Sequence, residues 1–296
     1  HGGFEHGHAL HDELLRVPLI LKGPDVEPGR FDAPTSLLDV APTLAAMHGI
    51  DTVGMVGSDL RQLANGQRTA QFHERPQAFG RPLYGLRQWG SLQNKLKYTV
   101  SQGKEALFDL ETDVGEKQSR ISKTDPTPLR QALGTALERP FVQAFRLVLN
   151  RTKSGKAVRV VMNQPMEAAW AGDDPTMKGK ATVTMGDTKT TAKWPKQSGM
   201  VEVFVLPPND MSDTLDVDII IGKRSETHTI QLTGRTPPKA GEPDVLLSTR
   251  FGGRNITMTT TWVPIPSSLD SAIEGFDAEV QGDLESLGYI EKDTEN

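Results

Sequence analysis

The chain contains no cysteine, which excludes a disulfide scaffold, a thiolate metal centre and a cysteine nucleophile on its 296 residues. Aromatic residues are few, at 6%. No apolar run approaches the roughly 18 residues that cross a membrane as a helix, so no span is expected. No basic block occurs, and 33 Lys and Arg against 38 Asp and Glu leave a formal net charge of -5, which argues against nucleic acid as a partner. What is present is ordinary for a folded protein: 36% hydrophobic and 24% charged residues. At about 150 residues per domain, the length predicts two domains.

Residues 1–120 mix short helical and strand signals. Leu10–Leu15 reads as a helical turn or two, and Val17–Leu21 as a short buried strand with Pro18 near its start. After a Pro- and Gly-containing loop, Leu37, Leu38, Val40, Ala41, Leu44, Ala45 and Met47 recur at near-helical spacing. Either Ser36 or Asp39 caps that helix, since Pro42 sits too deep for a first turn begun at Ser36. Tyr84–Trp89, Lys95–Val100 and Ala106–Leu110 are candidate strands, and Pro128–Glu138 and Phe141–Asn150 look helical. From residue 155 the texture changes. Ala157–Met162, Lys180–Met185, Val201–Leu206, Thr214–Ile221, Thr227–Leu232, Val245–Thr249 and Asn255–Val263 read as seven strands at short spacing, which predicts an antiparallel β-sandwich. Leu269–Tyr289 looks helical again. The expected organisation is therefore a first domain over 1–120, a helical linker over 121–150, a β-sandwich over 151–265 and a helical tail over 266–296. Trp170, Trp194 and Trp262 are read as core aromatics of the sandwich, with a sugar-binding face as the alternative.

Four of the seven histidines, His1, His6, His8 and His11, fall in the first eleven positions. On spacing alone they fit either a polar loop or a metal site, because imidazole is the commonest metal ligand. The opening run His1-Gly2-Gly3-Phe4-Glu5-His6-Gly7-His8 reads as the middle of a site loop, and predicts further sequence upstream.

The segment His6-Gly7-His8-Ala9-Leu10-His11-Asp12-Glu13-Leu14-Leu15-Arg16-Val17-Pro18-Leu19-Ile20 resembles a late block of the sulfatase family. Further blocks occur in the family's order. Ser36-Leu37-Leu38-Asp39-Val40-Ala41-Pro42-Thr43-Leu44 is similar to its S-L-x-D-(L/V)-A-P-T-L helix, and Gly57-Ser58-Asp59-Leu60 to its G-x-S-L. Leu96-Lys97-Tyr98 and Leu107-Phe108-Asp109-Leu110-Glu111-Thr112-Asp113 resemble its K-Y strand and L-(Y/F)-D-L-x-x-D-P turn, and Leu284–Ile290 its common ending.

The resemblance implies an α/β fold class, the C-terminal portion of an alkaline-phosphatase-like sulfatase fold, and the hydrolysis of sulfuric esters. In that family a Cys or Ser within C/S-x-P-x-R becomes formylglycine, whose hydrate attacks sulfur, and a divalent cation, usually calcium, is held by acidic and amide side chains. Neither C/S-x-P-x-R nor the family's Asp-His-Gly metal motif occurs here, so the cation's ligands are not expected on this chain, nor turnover by it alone. By the same resemblance His6 contacts a sulfate oxygen as catalytic residue, while His1 and His8 line the substrate mouth. The implied substrate is a sulfated small molecule or glycan, and the implied compartment periplasmic or extracellular. Two other readings stay open: phosphate or phosphonate ester hydrolysis or phosphoryl transfer on the same fold, and non-enzymatic glycan or partner binding through the sandwich.

Overall fold

The computed structural model describes residues 9–23, 25–81, 88–151, 156–172, 181–194 and 201–266. They fall into two units, the first being His1–Phe79, Gly90–Tyr98 and Leu107–Ala136, the second Gly80–Trp89, Thr99–Ala106 and Leu137–Asn296. The described residues are strand-rich with few helices, all of them short.

In the first unit, α1 (Asp12–Leu15) is a single turn. Ser36 opens a 3-10 turn, Leu37–Asp39, that runs directly into α2 (Val40–Met47). Its hydroxyl accepts from Leu38 N, while the Asp39 carboxylate accepts from Ser36 N at 2.7 Å. This reciprocal capping satisfies donors that a helix start leaves open. Of the two candidate caps, Ser36 is thus the one whose side chain starts the helical run. Two short helices come next, α3 (Leu60–Ala64) and α4 (Thr69–Glu74). Leu60, Leu63 and Phe72 from these helices bury themselves with Ala33 in one small cluster. In α5 (Thr127–Ala136) the three- and four-residue spacing puts Leu129, Ala132 and Leu133 on one buried face.

Four strands, β1 (Gln77–Arg81), β2 (Gln88–Gln93), β3 (Leu96–Ser101) and β4 (Lys104–Asp109), form one sheet in that order. Two-residue turns link β2 to β3 and β3 to β4. Asn94 and Lys95 have φ of 49° and 64°, and Gln102 and Gly103 have 53° and 83°. Paired left-handed residues give the turn whose twist matches a right-twisted hairpin.

Beyond Leu137 the described residues of the second unit form ten strands: β5 (Phe141–Arg151), β6 (Val158–Met162), β7 (Ala168–Ala171), β8 (Thr182–Met185), β9 (Thr190–Trp194), β10 (Val201–Leu206), β11 (Thr214–Ile221), β12 (Arg224–Gln231), β13 (Val245–Phe251) and β14 (Arg254–Pro264). They make two five-stranded sheets, β13-β14-β5-β10-β7 and β12-β11-β6-β9-β8. The described pairings within them are antiparallel. Phe145, Leu147, Leu149, Val203, Val205, Ile256 and Met258 of the first sheet share one buried cluster with Val158, Val160, Met162, Ala192, Trp194, Leu215, Val217, Ile219 and Ile221 of the second. Period-two alternation along each strand delivers these side chains to one side. Each fully buried aliphatic contributes roughly 1.5–3 kcal/mol over an exposed one, and among the described residues no other apolar cluster is as large.

Several sequence expectations are corrected. Phe141–Asn150 is not helical but is most of β5, which removes all but α5 from the expected 121–150 helical linker. The reason is position: β5 lies inside its sheet, with Leu147 and Leu149 in the shared cluster and Ala144 on the opposite face with Ala168, Trp170, Phe204 and Val263. A strand covered on both faces loses its alternation and reads as a continuous apolar run. β5, β7 and β9 add to the expected strands, so seven become ten among the described residues. Val17–Leu21 is not a strand, and of it only Leu21 is partly buried, against the small cluster of α3 and α4: Val17 is 56% and Ile20 91% exposed, because no strand among the described residues lies alongside to take its backbone groups. Of Tyr84–Trp89, only Gln88 and Trp89 are described, and they begin β2. The helix expected over Leu269–Tyr289 lies outside the described residues.

Candidate functional site

His1, His6 and His8 lie outside the described residues. The next residues of the same motif block are described. His11 and Asp12, at the start of α1, meet Lys97 of β3 and Glu116, in the turn beyond β4, in one ionic cluster inside the first unit. Lys97 Nζ donates to Asp12 Oδ1 and Glu116 Oε1, each at 2.8 Å. Glu116 Oε1 also accepts from the Asp12 backbone N–H at 2.6 Å, and its Oε2 lies 2.9 Å from His11 Nδ1. An ionised carboxylate only accepts, so Nδ1 carries the proton in this contact. The ammonium of Lys97 also stands 5.5 Å from the centre of the Phe79 ring.

Burial decides what this cluster can do. The Lys97 side chain is 0% and that of Glu116 1% exposed. A charge removed from water this completely is tolerable only when paired. Lys97 is therefore committed to its two carboxylates, and a substrate anion would have to displace them. Glu116 itself has φ of 48°, in the left-handed region that ordinary side chains avoid. Its turn is held by Asp113, whose backbone carbonyl accepts from Glu116 N at 3.0 Å and whose carboxylate accepts from Lys117 N at 3.0 Å and Gln118 N at 2.8 Å. Those two backbone donors hold the Asp113 carboxyl below the usual carboxylate range.

A second polar centre ties the Ser36 helix to the Gly57–Leu60 segment. Arg75 grips Asp39 with two bonds of 2.7 Å, and Ser36 N and Ser58 N donate to the same carboxylate at 2.7 and 2.8 Å. Thr43 Oγ1 donates to Asp39 O at 2.6 Å and accepts from Leu60 N at 2.9 Å. Gly57 is required here: its φ is +103°, and a Cβ would stand 2.3 Å from the Leu38 carbonyl oxygen.

Among the described residues no group of three or more His, Cys, Asp and Glu could hold a metal ion. In the ionic cluster a lysine ammonium occupies the place a cation would take, so these residues do not fit the implied metal. Within the second unit a small cleft is lined by Trp89, Gln102, Arg146, Glu202, Phe204 and Trp262. Its charges are spent on each other, with Arg146 Nε 2.8 Å from Glu202 Oε1 and Nη2 bonded to the same oxygen. Trp194 is in the shared apolar cluster, Trp170 stacks on Phe204 and Trp262 on Phe141, and all four tryptophans belong to the second unit.

Sequence reasoning marks Lys97 only as part of a strand motif and does not single out Glu116. The signal is faint but present. A lysine between Leu96 and Tyr98, in a strand buried on both faces, needs carboxylate partners.

No protein-family model matches the chain. The relationship found is to sulfatase-type hydrolases, at the level of family resemblance and over part of the chain. The relative is the choline-sulfatase of Rhizobium meliloti (strain 1021), 36% identical over 129 residues, which cover 41% of this chain and 24% of that protein. The chain thus matches about a quarter of the length of this curated relative.

Proposed function

We propose that the chain is the C-terminal part of a sulfatase, a hydrolase of sulfuric esters with the alkaline-phosphatase-like fold, and that the two-sheet body of the second unit is its β-sandwich accessory domain. The partial similarity to a choline-sulfatase, with the motif blocks in family order, supports this reading. His6 is its sulfate contact: a protonated imidazole donates a charge-assisted bond to a sulfate oxygen and adds positive potential where charge builds in the transition state. His1 and His8 line the substrate mouth. The divalent cation of this chemistry, calcium, and the formylglycine nucleophile are supplied by polypeptide other than the described residues. The substrate is a sulfated small molecule or glycan, encountered in the periplasm or outside the cell.

The test uses the intact gene product with aryl sulfate and aryl phosphate side by side. Preferential turnover of the sulfate, lost by at least about tenfold in His6→Ala, is the expected result. Preferential turnover of the phosphate moves the assignment to phosphoester chemistry, and turnover of neither removes it. The reading frame before His1 is expected to encode Asp-His-Gly and, further upstream, C/S-x-P-x-R.

A further inference from the structure

We propose that Lys97 and Glu116 are positioning residues that hold Ala9–Leu15, and with it the base of the histidine run, in a single register. What the histidines touch rests on the sulfatase reading; the hold on Ala9–Leu15 does not.

Three observations carry the inference. First, the contacts span most of the unit's sequence, since Lys97 meets Asp12 across 85 positions and Glu116 meets His11 across 105. Second, every acceptor of Glu116 is used on this one segment or on Lys97: Oε1 takes Lys97 and the Asp12 N–H, and Oε2 takes His11. Backbone and both side chains at positions 11 and 12 are therefore fixed together, which one contact could not do. Third, the arrangement is a poor way to gain stability. Buried ion pairs are often matched or bettered by packed apolar groups, and a left-handed non-glycine residue is itself strained. Directional bonds fix an orientation, which apolar packing does loosely. The short α1 has no buried residue of its own, and Leu10, the buried apolar side chain just before it, anchors the segment without fixing the orientation of residues 11 and 12.

The test is made on the full chain with Glu116→Gln, Lys97→Met and the conservative Lys97→Arg. Amide hydrogen exchange of residues 10–16 is expected to accelerate about tenfold or more in the first two, with α5 and the second unit unchanged. Slow exchange of the His11 Nδ1 proton is expected to disappear in Glu116→Gln. Inorganic sulfate titrated against the histidine ring signals is expected to show a midpoint at least about tenfold weaker in Glu116→Gln, recovering toward the parent in Lys97→Arg. A general loss of fold would accelerate exchange everywhere and is distinguished on that ground. Exchange in 10–16 that stays within about twofold of the parent in both disruptive variants overturns the proposal. If sulfate leaves the rings of the parent chain undisturbed while the exchange effect is present, the sulfate reading fails and the positioning role stands.

Discussion

Each unit has its own internal balance of apolar and polar contacts, and the balance differs between them. The second relies on apolar side chains delivered by alternation to a cluster shared by two sheets. The first has a smaller apolar cluster and leaves Ile20, Leu37, Leu38, Ile50, Val53 and Val56 exposed. Tyr98, Leu107, Leu129 and Leu133 are buried there as well, and its distant stretches are also joined by two polar centres, Asp39 with Arg75 and Glu116 with Lys97. Asp39 and Lys97, one residue of each centre, stand in blocks that carry the sulfatase resemblance. Ser36, Asp39, Gly57, Ser58 and Lys97 of these blocks are engaged in internal bonds or close approaches, so the resemblance at these positions reports an architecture more directly than a reaction.

That contrast can be broken, and the strongest lever is Asp39→Ala. It strips Arg75 of its partner and frees the Ser36 and Ser58 amides, at an expected cost of about 3–5 kcal/mol. The cost should be read as faster amide exchange over residues 36–75, with residues 201–266 unaffected. An equal response in both regions would show that they unfold as one. Leu215→Ala in the apolar cluster is expected to cost about 2–5 kcal/mol, measured in urea, and to leave residues 36–75 protected. Ser36→Ala removes one half of the reciprocal capping and is expected to cost about 1 kcal/mol.

Acid should distinguish the units more gently. Backbone donors from Lys117 and Gln118 depress Asp113, and hydrogen bonds from Thr227 and Asn163 depress Asp218. A carboxyl whose folded value lies below its unfolded one stabilises fully above the unfolded value, about 4, and loses that contribution as pH falls through the folded value. Asp113→Asn is expected to flatten this acid response in exchange over 113–118 only, and Asp218→Asn over β11 and β12 only. Smallest of all, Ile20→Ser should change stability by no more than about 0.5 kcal/mol, because the side chain it replaces is already in water.

Alternating segments are the legible part of the sequence. Thr214–Ile221 has one face buried and one half-open, and its limits agree with β11. β5 reads wrongly as a helix because both its faces are covered, which erases the period that identifies a strand. β7 escapes notice because Ala168 and Ala169 carry little strand preference and pack only through their neighbours. Val17–Leu21 shows the converse failure, since apolar composition signals a need for burial without supplying the neighbour that provides it. At the candidate site, the clustering of histidines is visible in the sequence but the carboxylate that holds the adjoining turn is not. Glu116 sits in a charged turn where an acidic residue looks like solvent-facing decoration. Only the return of the chain past β3 shows that it points inward.

The placement of the tryptophans has a practical corollary. Three of the four indoles, Trp170, Trp194 and Trp262, reside in the two five-stranded sheets, and Trp89 stands in β2 where the chain passes from the second unit to the first, so intrinsic fluorescence will mainly follow the strand-built unit. A denaturation curve drawn from emission could look simple and cooperative while the segment bearing the histidines had already come loose. Engineering an indole at Phe72, inside the small cluster of the first unit, would give that region an optical voice of its own.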